Sequence, residues 1–196
     1  MTSSGRSTEP SNGFTLKGGA LGGVGAFIAG YVLTYLLVLV DSELEYTEES
    51  AAFELIGTMF YNAHFVDAEF VFAEGTVFEG TRRLNIIAEE STQFPEPVFY
   101  LVPVAILFGV GALIAHRSVP TTATGVEGAK AGASVVVGYL PLAVVGTVLF
   151  ETTAEFEILG ETIRSTFGPD VLMSIIFVGL VFPVVLGAVG GFLARQ

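Results

Sequence analysis

The sequence predicts an all-α membrane protein with four transmembrane helices, and three observations support this fold class. Of the 196 residues, 52% are hydrophobic and only 14% are charged, whereas soluble domains carry about 25% charged residues. Four runs of 19 to 24 residues contain no Asp, Glu, Lys or Arg, and they cover 18–40, 98–116, 131–150 and 171–194. As helices these runs extend roughly 29 to 36 Å, enough to cross a ~30 Å hydrocarbon core, and they are too long for single β-strands.

The segments around the spans divide the chain into a tail and one domain. Residues 1–16 are polar, rich in Gly, Ser and Thr and without periodicity, which predicts a disordered cytoplasmic tail. Residues 17–196 then form a single four-helix transmembrane domain, in which 41–97 are an extracellular loop. Prolines lie inside three spans, at 103, 141 and 183. A membrane bundle tolerates such kinks because neighbouring groups satisfy the freed carbonyls.

The distribution of Lys and Arg predicts the orientation of the spans. Five of the eight basic residues lie close to span ends on the side of the two termini, and three lie in the loops 41–97 and 151–170. This bias places both termini in the cytoplasm of a cell-membrane protein. Of the 20 acidic residues, 18 lie in the same two loops. The predicted extracellular face is therefore strongly acidic, and the cytoplasmic face is slightly basic.

The net charge and the amino-acid usage exclude several classes of function. A net charge of −12 repels nucleic acid, so no nucleic-acid partner is expected. The absence of cysteine excludes disulfides, thiolate metal sites and cysteine nucleophiles. Abundant Glu with only two lysines, Lys17 and Lys130, is typical of proteins that work in very high salt, where charges are screened over ~3 Å. A halophilic source is the favoured interpretation.

A candidate internal repeat relates the two halves of the chain. Span one is followed by FELIG (53–57) and span three by FEILG (156–160), and spans two and four end alike, on VGALIAHR and VGGFLAR. This pattern predicts two tandem two-helix units, 17–117 and 130–196, related by an axis along the membrane normal. The alternative is chance similarity between Gly- and Val-rich helices.

Small residues recur at helical spacing on two of the spans. They form a smooth stripe on span one and a shorter one near the end of span four, where another helix backbone can approach closely. Packing inside the bundle is the favoured interpretation, and homodimerisation through the stripe is the alternative. The residues predicted to pack helices are Gly18, Gly22, Ala26, Gly30, Gly187 and Gly191.

The loop after span one is too long for a simple connection. In 48–63, Phe53, Ile56, Phe60 and Ala63 share one helical face, which predicts an amphipathic helix on the outer membrane surface or on top of the bundle. The Phe- and Val-rich segment 65–79 has a turn candidate at Glu74-Gly75, which predicts a short β-hairpin. A shorter counterpart helix is predicted in the second half, from Phe156, Leu159, Ile163 and Phe167.

The stretch FELIGTMFYNAHFVDAEF, between spans one and two, supports a resemblance. The chain resembles a family of uncharacterised haloarchaeal multi-pass membrane proteins, which show a similar aromatic-Tyr-Asn-Ala-His-Phe stretch after the first span. The likeness covers the whole layout, and its specific part is 60–66. The resemblance implies a salt-loving source and a four-helix membrane fold. It implies no activity.

Tyr61, Asn62 and His64 form the one polar cluster with functional character, because a histidine can titrate near neutral pH or bind a metal. Structural hydrogen bonding within the loop is the favoured alternative. The loop acids Asp67, Glu69, Glu151, Glu155, Glu157 and Glu161 lack calcium-loop spacing. Solvation of an acidic face explains them better than metal binding. We therefore expect no cofactor and no metal.

No catalytic or nucleotide-binding motif occurs in the sequence, and the spans contain no Asp, Glu, Lys or Arg and no histidine before His116 at the end of the second span. An enzyme is therefore not expected. The favoured hypothesis is a structural or accessory subunit of the cell membrane, with lipid, a membrane-protein partner or a second copy as neighbours. The alternative is a small passive or exchange-type transporter for an uncharged solute. A water-accessible cavity lined by Tyr31, Tyr35 and Tyr139 would favour the transporter, and a dry core would favour the subunit.

Overall fold

The computed structural model describes residues 12–41, 49–74, 76, 79–89, 92–158 and 161–196. Long helices alternate with short outer elements along the chain. The helices are α1 (Asn12–Leu39), α2 (Glu49–Asn62), α3 (Ile86–Glu89), α4 (Glu96–Ser118), α5 (Gly125–Ala133), α6 (Val136–Leu149), α7 (Val171–Met173), a π-helical segment (Ser174–Val181) and α8 (Phe182–Leu193). The strands are β1 (Ala68–Glu74), β2 (Gly80–Leu84), β3 (Thr152–Ile158) and β4 (Glu161–Pro169).

Four helical segments are long and apolar enough to cross a membrane, which confirms the four-span prediction. They are Leu16–Leu39, Glu96–Ser118, Gly125–Leu149 and Val171–Leu193. The first helix starts at Asn12, so the predicted disordered tail is wrong for 12–16, and residues 1–11 lie outside the described residues. The third segment starts six residues earlier than predicted, at Gly125, because a Thr124–Glu127 capping box starts a helix there.

Glycines bring the spans into backbone contact at the end that carries Lys17, Arg117, Lys130 and Arg195, called the basic end below. A Cβ at Gly132 or Gly191 would collide with the backbone of the facing helix, since α5 and α8 cross there. Gly111 on α4 faces Gly187 in the same way. Such contacts need small residues on both helices, as in other membrane bundles.

The stripe on α1 divides between two neighbours. Gly18 and Gly22 face α4, where a Cβ would lie 3.3 Å from the Ser118 hydroxyl and 2.8 Å from Ile114, respectively. Ala26 is buried. Gly30 faces the ring of Phe60, whose Cε2 would be 2.6 Å from an added Cβ. The stripe therefore packs inside this chain at each of these positions.

The opposite end of the bundle, called the sheet end below, carries a four-stranded antiparallel sheet of order β2-β1-β4-β3. The predicted hairpin after span one exists, but its second strand is β2 at 80–84 instead of a segment inside 65–79. Gly75, in the predicted turn, lies outside the described residues. The predicted counterpart helix in the second half is wrong, because 152–158 and 161–169 are the paired antiparallel strands β3 and β4.

The sequence of that second hairpin explains the error. TTAEFEI and ETIRSTFGP alternate polar and apolar residues and are rich in Thr and Ile, a composition that favours strands. The spacing of Phe156, Leu159, Ile163 and Phe167 fits a helix, whereas the alternation of Ala154, Phe156 and Ile158 with polar residues has the period of a strand. The strand period prevails in β3, and Leu159 lies outside the described residues. The FE motif consequently has different structures in the two halves, helical at 53–57 and extended at 156–158. The likeness between those two segments therefore does not mark equivalent structures.

Polar side chains fasten the sheet end to the spans. Asp170 caps the start of span four by accepting a hydrogen bond from the Met173 amide at 2.9 Å, and it pairs with Arg83 of β2 at 3.1 Å. Asp41, at the end of span one, accepts a bond from the Gln93 amide at 2.9 Å. The Glu69–Arg83 pair at 2.9 Å adds β1 to these contacts. Strands β1 and β2 are thereby joined to the start of span four, and the segment before α4 is joined to the end of span one.

Two glycines on α1 offer a matched test of the close packing. A Cβ at Gly23 would collide with the backbone oxygen of Val135 on the third span, whereas a Cβ at Gly25 meets nothing within 4 Å. We expect Gly23→Ala to destabilise the protein by about 1–3 kcal/mol through overpacking. Gly25→Ala is expected to be neutral or stabilising by up to about 1 kcal/mol, because alanine is the better helix former. Thermal unfolding in detergent measures both, and equal midpoints for the two variants would contradict the packing.

Candidate functional site

The C-terminal half of α2 lies inside the bundle, not on its surface. All nine residues of 56–64 are buried, although a helix on a membrane surface would expose one face. Phe60 contacts Phe27 of span one with ring centroids 5.2 Å apart, and the Tyr61 hydroxyl donates to the Ala143 carbonyl of span three at 2.6 Å. The helix predicted at 48–63 is therefore present at Glu49–Asn62. Its C-terminal half lies deeper than either predicted position, the outer membrane surface or the top of the bundle.

The inserted segment reaches the level of the span centres. The His64 ring lies 5.0 Å from that of Phe182, which is the central residue of Val171–Leu193. Phe27, next to Phe60, is equally central in Leu16–Leu39. The central parts of the four spans, 18–39, 98–115, 131–149 and 171–193, contain no Asp, Glu, Lys, Arg or His, yet the loop brings an imidazole into their middle. We call the segment 56–66, which fills this space, the wedge.

His64 forms a buried hydrogen-bonded pair with Tyr139. Its Nε2 lies 2.8 Å from the Tyr139 hydroxyl, and its Nδ1 lies 2.8 Å from the Phe60 carbonyl oxygen. A carbonyl only accepts, so Nδ1 carries the hydrogen and Nε2 accepts from the tyrosine O–H. The neutral imidazole thus has both ring nitrogens satisfied. From the sequence, Tyr139 is predicted only as a residue that could line a transport cavity. Its pairing with His64 is a long-range contact that local patterns do not reveal.

Tyr61 and Asn62 hold the wedge in place. The Asn62 amide nitrogen donates to the Val66 carbonyl at 2.7 Å, and its oxygen accepts from the Ile86 amide at 2.9 Å. This one side chain therefore joins the end of α2 to the following turn and to α3. The three predicted candidates lie together, but Tyr61 and Asn62 are occupied by contacts to the protein's own backbone.

The turn after His64 contains a strained residue. Phe65 has a φ of 61°, in the left-handed region that non-glycine residues rarely adopt. Its ring stacks on Tyr100 of α4, with centroids 4.8 Å apart and planes within 7°. The stacking offsets the backbone strain and fixes the exit of the chain from the bundle.

The three tyrosines expected to line a transport cavity do not share one. Tyr139 is enclosed by His64 and by Phe27, whose centroid lies 5.2 Å from that of Tyr139. Tyr31 stacks on Phe150 at 5.4 Å, and Tyr35 is exposed on the outside of the helix. Two buried hydroxyls, Thr58 and Ser174, have no hydrogen-bond partner among the described residues. At the level of the wedge, aromatic side chains occupy the space between the spans.

The sheet presents two chemically different faces. One face carries the Glu69–Arg83 and Glu155–Arg164 pairs, both at 2.9 Å. The other is mainly apolar and includes Phe70 and Phe167, which pair across β1 and β4, together with Arg82 opposite Phe70. Phe156 lies near the far end of this apolar face and is 55% exposed. Within the described residues, no three His, Asp or Glu side chains form a group that could hold a metal ion.

Comparison with known proteins places the chain in a family without assigning a role. A model described as a family of unknown function (DUF7978) matches residues 1–196, the whole chain. The chain belongs to this family. No curated protein and no solved structure matches it. The family therefore agrees with the resemblance to an uncharacterised group, and it assigns no role.

Acidification tests the buried imidazole. Burial lowers the pKa of His64 to about 4, and the bond to the Phe60 carbonyl opposes this shift only in part. The unfolded chain, with an ordinary pKa near 6.5, binds the extra proton first, so stability is complete above about pH 6.5 and falls as the pH drops toward about 4. We expect the unfolding midpoint in detergent to decrease between about pH 7.5 and about pH 5.

The second histidine supplies the control. His116 is exposed at the basic end, so His116→Gln should keep the pH dependence, whereas His64→Gln should reduce it. If wild type and His64→Gln lost the same stability on acidification, the neutral buried imidazole would be the wrong description.

Proposed function

We propose that this protein is an accessory subunit of the cell membrane that binds a partner protein through its acidic sheet end. The observation that carries the proposal is the wedge. Phe60, Tyr61 and His64 fill the space between the spans where a solute path would run, and their polar atoms contact backbone or Tyr139. A closely packed core of this kind supports a structural role over conduction.

The orientation and the source follow from the charges. Both termini at the cytoplasmic side put Lys17, Arg117, Lys130 and Arg195 inside and the sheet outside, in accord with the positive-inside rule. The acidic surface and the scarcity of lysine support a haloarchaeal source. In concentrated salt, long-range charge attraction is screened over ~3 Å, so a partner would be held by apolar and backbone contacts more than by charge.

The sheet end offers contacts of that kind. β3 is an edge strand, so it presents unpaired backbone groups to which a partner strand can add. Phe156, on the same strand, exposes its ring beside that edge. Interfaces formed by strand addition gain affinity from main-chain hydrogen bonds at the open edge and specificity from side-chain contacts. The edge of β3 offers the first, and the Phe156 ring beside it offers the second.

Passive transport is the second candidate, and one observation favours it. The hydroxyls of Thr58 and Ser174 are fully buried and lack a partner among the described residues, and Ser174 begins the π-helical segment of span four. Buried hydroxyls of this kind can bind water, and π-helical segments are frequent at functional sites. Movement of the wedge, which carries Thr58, out of the space between the spans would open a path.

Site-specific crosslinking in native membranes tests the accessory role. A photoreactive phenylalanine analogue at Phe156 should capture one protein partner in near-stoichiometric yield. The same analogue at Val148, which is 75% exposed on the third span, should capture only lipid or span neighbours. Phe156→Asp should abolish co-purification of that partner, because it places a charge in an apolar contact.

Two outcomes would contradict the proposal. If crosslinking at Phe156 and at Val148 captured no other protein, the proposed partner protein would not exist. Solute uptake by proteoliposomes that contain only this protein, faster than by empty vesicles, would favour the transporter instead.

A further inference from the structure

The basic end contains an open cavity that the accessory role does not use. Its volume is about 600 Å³, and it lies between the start of α1 at Leu16, the connection after α4 and the outer face of α5. The lining is mixed. Val119, Pro120 and Ala131 supply apolar surface, and Thr122 and Lys130 supply polar groups.

A second cavity adjoins the first and has a different character. It is a groove of about 310 Å³ between α1 and α4, and Ser118 lines both cavities. The groove follows α4 from Arg117 to Val110, a length of about 10 Å at helical rise. Apart from Arg117 and Ser118, the side chains that line it are apolar, among them Leu21 and Leu113. The groove therefore runs from the polar end of the bundle into the depth of the spans.

The linings of the two cavities together carry two basic residues and one acidic residue. Lys130 lines the larger cavity, and Arg117 lines the groove beside the shared Ser118. None of the ion pairs among the described residues includes Lys17, Arg117 or Lys130. Glu127, the acid in the cavity lining, accepts hydrogen bonds from the amide and the hydroxyl of Thr124 at 2.8 and 3.0 Å. Its carboxylate caps the start of α5 and also attracts Lys130 on the same helix. With Lys130, Arg117 and Glu127, the two linings carry a net charge of +1.

Arg195 differs from these residues because its guanidinium is occupied by hydrogen bonds within the protein. Its guanidinium donates to the carbonyls of Ala115, His116 and Val119 at 2.6 to 3.1 Å, which closes the C-terminal end of α4. It shapes the connection that forms one wall of the larger cavity. The anion-binding capacity of this end therefore belongs to Lys130 and Arg117.

We propose that the two cavities together bind one phospholipid with an anionic headgroup. Its phosphate lies in the larger cavity beside Lys130, and one acyl chain follows the groove between α1 and α4 past Leu21. A basic pocket at the polar end with an apolar groove leading into the span depth matches the two ends of one lipid molecule. A free anion would use only the cavity, and an apolar solute would use only the groove.

Binding of defined lipids to the full chain in detergent tests the site. Phosphatidylglycerol should raise the unfolding midpoint and remain bound in native mass spectrometry. Phosphatidylcholine with the same acyl chains should bind less, and glycerol phosphate should neither stabilise the protein nor displace the lipid. Lys130→Gln and Arg117→Gln should each weaken phosphatidylglycerol binding by about fivefold, since a basic residue near an anionic headgroup contributes roughly 1 kcal/mol.

Two control variants separate the site from general effects. Arg82→Gln removes a charge at the opposite end, where Arg82 pairs with Glu89, and should leave lipid binding unchanged. Leu21→Ala should weaken binding, whereas Val148→Ala, at a similarly exposed span position, should not. Equal binding of the two lipids, displacement by glycerol phosphate, or full retention of binding in Lys130→Gln would overturn the proposal.

Discussion

The fold depends on one constraint, namely that the irregular backbone of the wedge needs hydrogen-bond partners at the depth of the spans. Each unpaired buried polar group costs about 1–3 kcal/mol, and lipid offers no partner. The turn after α2 satisfies its amides internally, with His64 and Phe65 donating to the carbonyls of Tyr61 and Asn62 at 2.9 and 2.8 Å. The Asn62 side chain supplies two further bonds. Without these contacts the segment could not remain between the spans.

The two ends of the bundle use opposite packing solutions. At the basic end, glycines such as Gly132 and Gly191 let helix backbones touch, so α4, α5 and α8 lie close together. Toward the sheet end, α2 lies among the spans, and its rings fill the space that glycines such as Gly30 leave. The small residues on the spans thus leave the space that the large side chains of the wedge fill. The sheet, which is joined to span four through Asp170 and Arg83, covers this end.

The sequence predicts the spans and the end of the bundle at which each charge lies, because both follow from local runs of hydropathy and charge. The depth of α2 could not be predicted in the same way. Ile56, Phe60 and Ala63 share a face in either location, and only the burial of the remaining residues of 56–64 distinguishes insertion from surface binding. For the candidate site, the cluster at Tyr61, Asn62 and His64 was visible, but Tyr139 is 75 residues from its partner His64. Long-range pairing of this kind has no local signal.

Depth measurements by spin labelling test the insertion of the wedge most directly, since the chain has no cysteine and a single introduced one is labelled cleanly. Phe65 is 63% exposed between Tyr100 and Phe182, so a label there should face lipid below the start of span four. Labels at Val171, Ile176 and Leu180, which are exposed along that span, calibrate the depth. With the wedge inserted, the label at 65 should be more accessible to oxygen than to a water-soluble relaxant, and its measured depth should exceed that of the label at Val171. A label at 65 as shallow as the one at Val171, or as accessible to the water-soluble relaxant as one at Phe156, would contradict the insertion of the wedge between the spans.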